Sequence, residues 1–390
     1  MIPRAARREH FAALSLAVGL AACASPGLNF SFGGGEDGAL APSEGPPPLR
    51  PGWRVNLAAR DFFLPWEPEE RSAPAALASG HSVIVGTSDG TVRRISMRDG
   101  STSWSFRADG AVHGDVSTAA GRVYVGADDG HLHCLDATSG ESLWKRRVGG
   151  TVQAAPTLHE GRVLVRGEDE KIRALDAVTG KWLWEYGRDL PDGFTLLGAP
   201  TPVVAGGRVL VGFADGTLVS LLIEDGSLVW SADLSNGATE FTDVDATPLV
   251  LDDKVFASSF SGGVHALRLE DGERVWHLPH RSVLAPVHDQ GSILLPTAEG
   301  ELLSVDAQDG RTLYRRRLAA AGSLGQPVPL GRWWVVPSTR RGLLVIDPAS
   351  GVVIQRVDAG TGVTATPAIV GGSVVVLSNG GYLYAFEVVS

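Results

Sequence analysis

"GRVYVGADDGHLHCLDATSGESLWKRRV" (residues 121–148) holds three short strands and the two turns that join them. Val123 and Val125 alternate with their neighbours, as they do in a strand, where successive side chains point to opposite faces. Gly130 and Gly140 punctuate the runs, and between them a second run ends in Leu135-Asp136. A third run carries Trp144. Short alternating runs separated by turn glycines read as antiparallel hairpins. The template returns in "GRVLVRGEDEKIRALDAVTGKWLWEYGR" (161–188), "GRVLVGFADGTLVSLLIEDGSLVWSADL" (207–234) and "GSILLPTAEGELLSVDAQDGRTLYRRRL" (291–318).

The second-turn glycines are Gly100, Gly140, Gly180, Gly226, Gly272, Gly310 and Gly351, each ten residues after a first-turn position at 90, 130, 170, 216, 262, 300 and 341. Four residues beyond each stands Trp104, Trp144, Trp184, Trp230, Trp276, then Tyr314 and Gln355. A fourth strand precedes each unit and often begins with a proline, Pro156, Pro202, Pro248, Pro286, Pro327 or Pro367, where it costs no ladder hydrogen bond. A four-stranded unit that recurs about every 40 residues predicts a β-propeller, because one sheet cannot bury both faces and radial stacking covers them. The tryptophans are placed to fill the gaps between blades. Seven units end near residue 358, and an eighth (365–390) stops after three strands. "PGWRVNL" (51–57), with Trp53, supplies the missing strand. The expected fold is all-β: an eight-bladed propeller of four-stranded antiparallel blades over residues 51–390. An N-terminal strand completes the last blade, closes the ring and removes two free edges.

The 390 residues carry a formal charge of −10, which argues against a nucleic-acid footprint. Residues 1–22 read as a signal peptide: Arg4, Arg7 and Arg8 precede the apolar run "FAALSLAVGLAA", too short for a mature membrane span. "LAAC" ends it at Cys23 and resembles a bacterial lipobox, which implies a lipidated Cys23, and Ala24 after it implies sorting to the outer membrane. Residues 24–50, rich in Gly, Pro and Ser, read as a flexible tether. The other cysteine, Cys134, reads as a small core residue.

The recurring L-D-x-x-x-G-x-x-x-W pattern, as in Leu135 to Trp144, resembles the pyrroloquinoline-quinone-type propeller repeat over residues 51–390. Quinoprotein dehydrogenases use that repeat with an adjacent cysteine pair, which this sequence lacks. A lipobox, a tether and eight such blades together resemble the BamB family. That resemblance implies a non-enzymatic scaffold with no cofactor, metal or catalytic residue, anchored to the periplasmic face of the outer membrane. It also implies a partner, the POTRA domains of the barrel-assembly subunit BamA. A scaffold of another envelope complex, or a quinone-binding enzyme, is the alternative.

First-turn spacing stretches from about 40 to 46 residues twice in succession, in "GRDLPDGFTLLGAP" (187–200) and "LSNGATEFTDVDATP" (234–248). Overlong loops on a rigid scaffold are where binding tends to reside. The first carries Phe194, Leu196 and Leu197, an apolar group amid acidic neighbours. The second carries Asp243 and Asp245. The resemblance makes these five residues the partner-binding set: "FTLLG" stands where the family has Leu-x-Leu-Arg-Gly, and "DVDATP" where it has Asp-Val-Asp followed by Thr-Thr-Pro. Leu197 therefore replaces an arginine, and Arg188 is a candidate substitute. His131 and His133 share a strand face but lack further ligands for a metal, and Asp243-x-Asp245 lacks the rest of a calcium loop. The basic runs at 145–147 and 315–317 read as edge protection.

Overall fold

A computed structural model describes residues 30–31, 47–58, 70–189, 200–319 and 322–389. Their regular structure is all strand, arranged as eight antiparallel sheets. Blades 1 to 7 span residues 75–107, 117–147, 157–187, 203–233, 249–278, 287–317 and 328–357. Blade 8 takes three strands from residues 368–388 and its outermost strand from Leu49–Asn56. The eight-bladed propeller expected from the repeat is the fold. Each first strand is three residues long or shorter and follows its proline directly in blades 3 to 8, and from blade 8 through blade 1 to blade 6 neighbouring first strands touch around the ring.

The alternation in the second strands does not separate an inside from an outside. Val123, Tyr124 and Val125 are all buried, as are Val163, Leu164 and Val165. Each blade is covered on both faces by its neighbours, so period two sorts residues between two interfaces of the same core. The hydrophobic clusters accordingly straddle adjacent blades; one joins Val209 and Val211 of blade 4 to Leu164, Ile172 and Trp184 of blade 3. The fourth strands of blades 1 to 6 carry the exposed alternating positions.

Tryptophans latch blade to blade. Trp184 donates its indole N–H to the Ile223 carbonyl of the next blade at 2.9 Å, and Trp230 does the same to Leu269 at 3.0 Å. Each ring lies against the next blade's second-turn glycine: a Cβ on Gly226 would sit 2.6 Å from Trp184. Tyr314 keeps the pattern by donating its hydroxyl to Pro348 at 2.8 Å. Trp53 closes the circle, with its indole on the Met97 carbonyl at 2.8 Å and its ring over Gly100.

Gln355 breaks the pattern because blade 8 takes its fourth strand from the other end of the chain and has no second turn to pack against. Its buried amide instead clamps Leu49, accepting from the Leu49 N–H at 2.9 Å and donating to the Leu49 carbonyl at 2.8 Å. Leu49 is fully buried, so the strand begins two residues before the boundary expected at 51. Phe30–Ser31, within the stretch expected to be tether, pairs with Val357 and Arg356 as a fifth strand on blade 7. Backbone pairing at an exposed strand edge needs no side-chain pattern, so composition did not reveal it. In blades 5 and 7 the first-turn glycine falls one residue later than the repeat spacing placed it, at Gly263 (φ +92°) and Gly342 (φ +75°).

Candidate functional site: the blade 4–5 connection

The connection from the fourth strand of blade 4 (Leu228–Asp233) to the first strand of blade 5 (Leu249–Leu251) crosses the second-to-third-strand turns of both blades. The Val244 N–H donates to the Phe213 carbonyl at 3.2 Å, and Phe260 N–H donates to the Asp243 carbonyl at 3.1 Å. Val244 is buried above Gly212, where a Cβ would lie 2.2 Å from the Val244 oxygen. Ser259 Oγ donates to the Thr242 carbonyl at 2.7 Å. Phe241 adopts φ +52°, stays exposed, and meets Phe260 edge-on at 6.5 Å between centroids. The connection is held at both flanks and presents an aromatic ring between them.

Asp243 and Asp245 fall on opposite sides of Val244 in chain order yet both turn inward. Asp243 is 1% exposed and Asp245 is partly buried. Burial first, and then the Asp243 carboxylate, push Asp245 up to about 7, against the pull of Arg166. The pair does not stand on the surface as two free carboxylates.

Beneath them lies an ion pair that sequence reasoning missed. Arg166, 2% exposed, bonds Glu170 at 2.5 Å and the Gly212 carbonyl at 3.2 Å, with its guanidinium 5.5 Å from the Phe213 ring centroid. Glu170 also accepts from the Ala214 N–H at 2.9 Å. The signal was present in the repeat. Blades 1, 2 and 4 have Gly86, Gly126 and Gly212 where blade 3 has Arg166, and Gly90, Gly130 and Gly216 where it has Glu170. Glu170 even retains the left-handed conformation of those glycines, at φ +52°. The residue four before the strand proline is Val152 or Val244 in neighbouring blades but Gly198 in the 187–200 connection.

Arg188 bonds Asp215 at 2.5 Å, and its N–H donates to the Glu170 carbonyl at 3.1 Å. It is thus tied to the base of the same region. Phe194, Leu196 and Leu197 lie outside the described residues, as do Cys23 and the signal segment. Thr247, at the end of the connection, accepts from the Thr201 N–H at 3.1 Å and lines the mouth of the central channel. That mouth is a cavity of about 250 Å³ shared with Arg71, His113, Asp115, Gln153 and Thr364. His133 lies buried against Phe106, 5.3 Å between ring centroids, and His131 meets Asp129 at 3.2 Å. Cys134 is buried, which raises its thiol's pKa.

The arrangement places Glu170 in contact with the Arg166 guanidinium and Asp245 within its electrostatic reach, with Phe241 exposed on the same connection as the two aspartates. It is suited to receiving a cationic side chain beside an apolar one.

A family model described as outer membrane protein assembly factor BamB matches residues 88–316 and 298–390. The outer membrane protein assembly factor BamB of Alkalilimnicola ehrlichii is 29% identical over 195 residues, a stretch covering 48% of this chain and 40% of that relative. BamB from Moraxella catarrhalis superimposes with a TM-score of 0.74 at 21% identity, covering 87% of this chain and 99% of that one. The quinohemoprotein alcohol dehydrogenase of Comamonas testosteroni superimposes with a TM-score of 0.68 at 16% identity, over 87% of this chain and 76% of that one. At these identities the structural likenesses establish the propeller fold and not an activity.

Proposed function

Since the chain belongs to the outer membrane protein assembly factor BamB family, we propose that it is a non-enzymatic scaffold of the outer-membrane β-barrel assembly machinery. It docks the periplasmic POTRA domains of the barrel subunit BamA and is held at the periplasmic face of the outer membrane by a lipid on Cys23. The observation that carries the docking site is the inward-turned carboxylate pair, Asp243 and Asp245, on a connection braced against blades 4 and 5 beside exposed Phe241. A cationic side chain of the partner would meet Asp245, the partly exposed member of the pair, and Phe194, Leu196 and Leu197 of the neighbouring connection would supply the apolar contact. Rigid support from both blades means little ordering entropy is lost on binding.

Affinity capture of the lipidated protein from membranes tests the reading. The wild type is expected to recover barrel-assembly components, and Asp243→Ala/Asp245→Ala to lose them. Recovery of none by the wild type would overturn the function. Equal recovery by the double variant would overturn the site and leave the function standing.

A further inference from the structure

We propose that the rim of blades 6 and 7 rests on an anionic lipid surface. Charge is unevenly spread around the ring. Residues 281–360 carry nine arginines and seven carboxylates, whereas residues 51–280 carry 21 basic and 32 acidic side chains. The former sector can approach a phosphate-rich surface without net repulsion, as can residues 71–150 with nine basic and eight acidic side chains, and what sets it apart is where its arginines lie.

Six of that sector's nine arginines lie on adjoining elements at the rim of blades 6 and 7, with Arg316 donating to the Ser350 carbonyl at 3.1 Å. Arg315, Arg316 and Arg317 end the fourth strand of blade 6 and are exposed. Arg340 and Arg341, also exposed, form the turn before the third strand of blade 7. The blade 6–7 connection joins the two groups: Thr339 N–H donates to Ser323 at 3.1 Å, and a Cβ on Gly322 would lie 3.0 Å from Arg340 Cγ. Arg356 stands one residue before Val357, which pairs with Leu343 beside that turn. Glu301 is shared between Arg315 at 2.6 Å and Arg317 at 3.8 Å, so one carboxylate serves two guanidinium groups.

A second observation selects lipid over an acidic protein as the occupant. Phe30–Ser31 pairs with Val357 and Arg356, so Phe30 lies at this corner. Cys23 precedes Phe30 by seven residues, at most about 25 Å of extended chain. On this point the inference rests on the lipid anchor proposed above: acylated Cys23 keeps the arginine corner within reach of the headgroups. The acidic connection at 234–248 is then left on another part of the ring for a protein partner.

The full chain carrying Cys23→Ser, which has no acylation site, is sedimented with vesicles containing phosphatidylglycerol and with vesicles of phosphatidylcholine alone. Binding to the anionic vesicles is expected, weakening as salt is raised. Arg340→Gln/Arg341→Gln should weaken it about 25-fold, at roughly fivefold per arginine. Arg98→Gln/Arg107→Gln on blade 1 should leave it unchanged. Thermal melts check folding, and Arg341→Gln alone replaces the double variant if that variant melts early. Failure to bind, equal binding to phosphatidylcholine, or equal loss in the blade 1 variant overturns the proposal. The assay contains no partner protein, so its failure leaves the docking reading intact. The mass of the mature chain reports separately on acylation.

Discussion

Arg166 and Glu170 show what a repeat discloses about single residues. Each occupies a position that is glycine in sister blades, and each is buried. A buried pair contributes little against an apolar replacement, but breaking it leaves a stranded charge. Arg166→Ala is therefore expected to lower stability by about 3–5 kcal/mol, and Arg166→Gly/Glu170→Gly, which removes both charges, by less. Urea titrations of the two variants check this ordering. Asp243 and Asp245 were legible as a motif, but their inward orientation was not, because it depends on Val244 seating over Gly212. That orientation gives Asp245 a pH dependence. Its folded carboxyl titrates near 7 against an ordinary value of 3.8. Between those values the folded state keeps a proton that the unfolded chain has released. Its contribution is thus fully present below 3.8 and lost as pH rises through 7. Asp245→Asn should remove that fall, seen as a flatter stability profile between these limits than the wild type's. A cationic partner favours the ionised form, so wild-type capture should weaken on acidification below 7 and the asparagine variant's should not.

At the scale of one element, the fourth strand and the turn before it make the blade-to-blade contact. The sequence showed the ten-residue spacing of turn glycines and the tryptophan four residues on, and these are the latch. It did not show that the tryptophan of one blade lies on the glycine of the next, because a one-dimensional repeat does not say which unit a side chain reaches. The latch separates two roles of glycine. Gly226 (φ +75°) faces Trp184, with a Cβ position 2.6 Å from the ring, whereas Gly207 (φ +72°) has nothing within 4 Å. Both would pay the left-handed backbone cost of about 1 kcal/mol on substitution by alanine. Only Gly226→Ala adds overpacking, at about 1–3 kcal/mol. Calorimetric melts should therefore place Gly226→Ala clearly below Gly207→Ala. Equal losses would mean that the tryptophan yields freely and that the latch is not a tight contact.

The whole molecule depends on how the ring is closed. Blade count and the donated strand were legible because the last unit lacks a tryptophan strand and Trp53 is left over at the other end. Gln355 as the second fastening was not, since a glutamine at a tryptophan position reads as a lapse in the repeat until the clamp on Leu49 is seen. The strand Leu49–Asn56 is fixed at its start by that clamp and in its middle by Trp53 on Met97 and Gly100. Gln355→Leu leaves the buried Leu49 N–H and carbonyl without their partner, at about 1–3 kcal/mol each. Trp53→Ala opens a cavity between blades 8 and 1, at about 3–5 kcal/mol. If the strand docks as one unit, either change alone releases it, and the double variant should be destabilised little beyond the worse single one. Independent fastenings would instead add to within about 0.5 kcal/mol. Urea titrations of both single variants and the double distinguish these outcomes. Additivity would mean that the ring is closed by separate contacts, and a marked shortfall would mean that closure is one cooperative step on which all eight blades depend.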